Sequence, residues 1–83
     1  MKTRKERHAA YMALWQLLTQ LRPAPRSLTH AWMRLLPITE LRQWLRLYEL
    51  EYLCYRSKLS QARVARIKAF LFDHDQMRSR EQQ

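Results

Sequence analysis

The chain has no glycine and no asparagine, a single cysteine and three prolines in 83 residues. At the usual frequency of about 7%, a chain of this length would hold about six glycines. Tight hairpin turns lean on glycine or asparagine at positive φ, so a sheet protein fits this composition poorly. Glycine-rich phosphate loops, nucleophile elbows and dinucleotide fingerprints are excluded, because each needs glycine where backbone approaches ligand closely. One cysteine excludes an intrachain disulfide. Cys54 lies between Leu53 and Tyr55, which reads as a buried, reduced thiol with no histidine near it in sequence to activate it. A lone free thiol suits a reducing cytosol, and the expected location is cytoplasmic.

A long apolar run is also missing. The longest charge-free stretch, His8 to Leu21, is too short to span a bilayer. The start, Met1-Lys2-Thr3-Arg4-Lys5 followed by Ala9 to Trp15, mimics a secretory leader, but Gln16, Thr19 and Gln20 interrupt it and no A-x-A site follows. The segment is therefore read as part of the fold.

What the chain has is positive charge and aromatic area. Sixteen Lys and Arg face seven Asp and Glu, a formal charge of +9. A magnitude of about 2 to 8 suffices for the solubility of a small domain, so this lies at or beyond the useful edge and points to an anionic partner. Twelve of the basic residues are arginine, whose planar fork matches phosphate and carboxylate. Hydrophobic residues make up 47% of the chain, including three Trp, four Tyr and two Phe. That is ordinary for a globular protein and too high for a disordered one.

The pattern predicts an all-α fold, a small bundle of three to four helices over residues 1–72, with 73–83 a polar, flexible tail. The first helix is expected from Arg4 to Leu21, opened by Thr3 and Glu6 as a capping box. Ala10, Leu14, Leu17, Leu18 and Leu21 form its buried stripe, widened by Tyr11 and Trp15. Pro23 and Pro25 end it. A second, short helix is expected from Leu28 to Leu36 with Ser27 as its cap, closed by Pro37. The third starts near Ile38 or Thr39. Leu41, Leu45, Tyr48, Tyr52, Tyr55 and Leu59 make a heptad-like seam on it, and Leu47, Leu50 and Cys54 a second apolar strip. Apolarity on two sides marks the centre of a bundle or an oligomer interface. A break at Ser57-Lys58-Leu59-Ser60 is preferred to one helix from Thr39 to Phe72, roughly 50 Å long, because four helices pack more readily into a compact unit.

Basicity with aromatics carries the leading functional reading. One cluster is Lys2, Arg4, Lys5 and Arg7. These oppose the dipole at a helix start, which makes a phosphate-facing role more attractive. A second is Arg22 and Arg26 in the proline loop. A third is Arg56, Arg63 and Arg66, with Phe70 at helical spacing and Lys58 and Lys68 flanking. On a helix Arg63, Arg66 and Phe70 share a face that can follow a phosphate backbone, with Phe70 on a sugar or base. The bland alternative is a solvated basic face with Phe70 in the core. A helix-turn-helix mask laid on Thr29 to Arg46 fails at Met33, Pro37 and Gln43. Trp44, Tyr48, Tyr52 and Tyr55 form an aromatic seam, read either as core or as a self-association or partner surface.

No catalytic constellation is evident, and the chain is expected not to be an enzyme. Arg46 and Glu49 are expected to pair at i, i+3. Asp73-His74-Asp75 offers ligand types in a row, but adjacent residues cannot all point inward on a helix, so no metal and no cofactor are expected. The expectation is a basic helical regulator binding nucleic acid, DNA rather than RNA, as a homodimer or with a partner protein. The alternative is an adaptor or inhibitor acting on an acidic partner. A peripheral membrane role for the first helix is a weaker third reading, since that helix reads as a core element.

Overall fold

Thr3 opens the first helix as the sequence requires: its Oγ1 accepts the Glu6 N–H at 3.1 Å, satisfying one of the free donors of the first turn. The computed structural model describes residues 3–81, with side chains as far as residue 78. Lys2, Gln82 and Gln83 lie outside it. Four helices follow one another: α1 (Arg4–Leu21), α2 (His30–Leu35), α3 (Ile38–Tyr55) and α4 (Lys58–Glu81). No strand occurs among the described residues.

Helix α3 is the central element and packs on both α1 and α4. That explains its two apolar sides. Leu41, Trp44, Leu47, Tyr48, Leu50 and Cys54 are all buried. The core joins several of them to Leu18 of α1, Met33 of α2, Ile67 of α4 and the loop residues Leu28 and Leu36. Burying each large apolar side chain is worth about 1.5–3 kcal/mol relative to leaving it exposed. Trp32 and Trp44 meet edge to face, ring centres 5.5 Å apart, an arrangement favoured by the ring quadrupoles.

Three local expectations are corrected, and a fourth, the expected break after the third helix, is placed more closely. The inward stripe of α1 is rotated: Leu18 is buried and Tyr11, Leu14 and Trp15 half-buried, whereas Leu17 is 57% and Leu21 63% exposed. Tyr11 and Trp15 offer more area than leucine, and turning the helix toward them buries more. The second helix starts at His30, not Leu28, because Thr29 is the cap, its Oγ1 accepting from the Trp32 N–H at 3.1 Å. Leu28 is instead buried from the loop, 4% exposed. The break after α3 falls at Arg56 and Ser57. Arg56 takes the left-handed conformation, φ 53° and ψ 33°, and its N–H closes on the Tyr52 carbonyl at 2.7 Å. Ser57 Oγ then caps α4 by accepting from the N–H groups of Leu59 and Ser60. Finally, α4 does not end near Phe72 but runs through Asp73-His74-Asp75 to Glu81. No proline or glycine interrupts it, and Gln76, Met77 and Arg78 are ordinary helix formers.

The loop between α1 and α2 bears directly on the candidate site. Arg22 is extended, as a residue before proline should be. Its Nε donates to Glu40 Oε1 at 2.9 Å, tying the start of the loop to the first turn of α3. The loop is thus stiffened by Pro23 and Pro25 and fastened at its base, with Leu28 fastening its other end.

Candidate nucleic-acid interface

The second and third basic clusters of the sequence meet in space. Arg26 of the loop and Arg63 and Arg66 of α4 line one cleft of about 270 Å³, together with Ser27, Leu28, Leu59 and Ala62. Leu28 is anchored in the core and holds the loop against α4, which is why Arg26 meets the distant Arg63 and Arg66. No carboxylate lines this cleft. The chain carries none between Glu6 and Glu40 or between Glu51 and Asp73, the stretches that build it. Arg26 and Arg66 are exposed and have no ion-pair partner among the described residues. The two unpaired arginines, Arg26 and Arg66, beside the Glu51-paired Arg63, can take an anionic oxygen cluster such as a phosphate.

Arg63 has a divided role. Its guanidinium lies over the Tyr48 ring, 5.2 Å from the centre, and 3.8 Å from Glu51 Oε1. Glu51 also accepts from Tyr11 at 2.8 Å and from the buried Ser60 hydroxyl. This carboxylate therefore joins α1, α3 and α4, and it orients Arg63 from behind. Burial raises the Tyr11 phenol far above its ordinary range, with the hydrogen bond to Glu51 adding to the shift. Tyr48 is pushed up to about 12, chiefly by burial, with Arg63 opposing and Glu51 reinforcing the shift.

The other expected contact residues are dispersed. Arg56 stacks over Tyr52 at 5.2 Å at the α3–α4 corner. Lys68 lies on the opposite flank of α4 from Arg66, where it shares a cleft with Arg46, Glu49 and Tyr52. Lys58 is exposed at the start of α4. Phe70 is half-buried and packed edge-on to His30, centres 5.1 Å apart, so its ring is not a free stacking surface. Arg4 and Lys5 line a separate cleft with His8, Cys54 and Tyr55. Arg7 turns inward on α1, and its Nε is enclosed without a hydrogen-bond partner.

The aromatic seam divides in the same way. Trp44 is 0% and Tyr48 1% exposed, so as interface residues they are corrected: α1, α2 and α4 enclose α3 and leave no route for a partner to touch them. Tyr52 is half-buried, and Tyr55 is the exposed end, in edge contact with Tyr11 and His8. Arg46 and Glu49 do not pair; arginine preceding glutamate is the less favoured order along a helix. Gln43, which a recognition helix would bury, is exposed. Among the described residues no group of three His, Cys, Asp or Glu side chains is placed to hold a metal ion, and no helix is long and apolar enough to cross a membrane. Sequence reasoning missed that Arg26 joins Arg63 and Arg66. The available signal was the shared absence of acidic residues from both stretches.

No protein-family model matches the chain, and no significant match was found among curated proteins or solved structures.

Proposed function

We propose that this protein is a helical nucleic-acid-binding regulator that grips backbone phosphate in the cleft between the proline loop and α4. The observation that carries the reading is the convergence of Arg26, Arg63 and Arg66 on one carboxylate-free cleft, in a chain of net charge +9. Phosphate contacts of this kind supply affinity and register rather than sequence readout. Duplex DNA is favoured over single-stranded RNA, because single-strand modules need exposed aromatic platforms. Here the tryptophans and Phe70 are buried or half-buried, and the exposed rings of Tyr55 and Phe72 line clefts other than the one that holds Arg26, Arg63 and Arg66.

The second reading is an adaptor or inhibitor for an acidic protein. Trp44 and Tyr48 are enclosed, so it rests on the basic surface alone. Titration of labelled duplex DNA, single-stranded DNA and RNA at two salt concentrations separates the two. Binding that weakens steeply with salt supports the first. No binding at low salt overturns it and leaves the acidic protein partner.

A further inference from the structure

Among the described residues, Ser27 carries the one hydroxyl that stands with the arginines of the cleft. It lines that cleft beside Arg26, Arg63 and Arg66 and is exposed. Thr29 rather than Ser27 caps α2, so the Ser27 side chain is left without a hydrogen-bond partner among the described residues. Most other Ser and Thr hydroxyls are engaged. Thr3, Thr29 and Ser57 cap helices. Thr19 donates to the Trp15 carbonyl, and Ser60 is buried on Glu51. Thr39 is also unbonded, but it sits on α3 and does not line the cleft. The backbone at Ser27 is held in place. Its carbonyl accepts the Thr29 N–H at 3.1 Å, and the neighbouring Leu28 is buried in the core. A group attached to the Ser27 oxygen therefore stays beside the arginines.

We propose that Ser27 is a phosphorylation site, and that its phosphate occupies the cleft from within the chain and shuts out nucleic acid. The exclusion of nucleic acid rests on the proposed function; the occupancy rests on the arginines alone. Transfer from a nucleoside triphosphate on a protein kinase forms the bond between Ser27 Oγ and the γ-phosphorus. It breaks the bond from that phosphorus to its bridging oxygen, passes the hydroxyl proton to a base of the kinase and releases the nucleoside diphosphate. The product carries a charge of about −1.5 to −2 and three acceptor oxygens. Arg26 and Arg66, which have no ion-pair partner among the described residues, complement it. Tethered beside them, the phosphate acts at an effective concentration on the order of mM. A backbone phosphate of DNA must displace it and meets a cleft whose charge is already neutralised.

The full chain is treated with MgATP and a panel of serine kinases, and the product is mapped by mass spectrometry. Phosphate is expected at Ser27; failure of every kinase to modify it in the folded chain overturns the assignment. The phosphorylated chain is then titrated by phosphorus NMR. Guanidinium neighbours favour the dianion, so the second ionisation should fall at a pH at least about half a unit below its ordinary value of about 6. Arg26→Gln with Arg66→Gln should return most of that difference. An ordinary midpoint, or one indifferent to the two substitutions, overturns the occupancy whatever DNA does. Affinity for duplex DNA at one salt concentration should be at least about tenfold lower for the phosphorylated chain than for the unmodified one. A lowered midpoint with equal DNA affinity in the two forms overturns the exclusion. A lowered midpoint in a chain that binds no duplex in either form overturns the nucleic-acid reading and supports the occupancy.

Discussion

The phenol of Tyr11 on α1 donates to Glu51 on α3, oxygen to oxygen at 2.8 Å, across forty residues of chain. Through the second carboxylate oxygen the same glutamate receives Ser60 and faces Arg63 of α4. One acidic side chain therefore links the three long helices. Tyr11→Phe should lower the unfolding free energy by about 1–2 kcal/mol in urea titration, the cost of removing a hydrogen bond to a carboxylate. Glu51→Ala should cost more, about 2–4 kcal/mol, since it leaves the buried Ser60 hydroxyl without its acceptor. The double variant should be less destabilised than the sum of the two singles.

Stability should fall in alkali for a reason visible in the core. The folded Tyr11 and Tyr48 phenols hold their protons above the ordinary value of 10.0, Tyr48 up to about 12. The unfolded chain releases those protons first, so their contribution is complete below pH 10 and is lost as pH rises toward 12. Urea midpoints measured from neutral into alkaline pH should decline above about pH 10. Tyr11→Phe should make that decline shallower.

Binding should depend on Arg26 and Arg66 together. Both are exposed and neither forms an ion pair among the described residues, so Arg26→Glu with Arg66→Glu should leave the melting transition nearly in place. Affinity for duplex DNA should drop steeply, and the slope of log affinity against log salt should shrink by about two units. Unchanged binding would place the phosphate site elsewhere. Arg63→Glu is the wrong probe: it sets a second carboxylate against Glu51 and removes the cation from the Tyr48 ring, so it should destabilise the fold as well.

Arg56 occupies a position that glycine ordinarily fills, with φ 53° at the end of α3. Arg56→Gly should relieve the left-handed conformation and stabilise by about 0.5 kcal/mol, the relief partly offset by loss of the cation over Tyr52. Arg56→Val should destabilise by about 1–2 kcal/mol, because a β-branched side chain tolerates positive φ poorly. Thermal melts of the two variants should move in opposite directions.

Local signals were legible in the chain to different degrees. The limits of α1 follow from Thr3, Glu6 and Pro23, whose effects act within one helical turn. The central place of α3 follows from its two apolar strips. The α1 stripe is not legible in the chain, because Leu17 and Tyr11 both fit helical spacing and only the surface offered by α3 decides which faces it. The site was less legible. Arg63 and Arg66 are neighbours on a helix, but Arg26 reaches them only because Leu28 is drawn into the core.

By itself the sequence determined helix, charge and stiffness. Lacking glycine, it is divided by prolines and by Thr and Ser caps, and its arginine surplus was bound to lie on helix faces and a proline loop. Only the tertiary structure decided which arginines stand together, which aromatic rings are enclosed and which side of α1 is bare. Those outcomes depend on how three long helices share one small core. Burial there is a competition among faces, and no single helix carries the information that settles it.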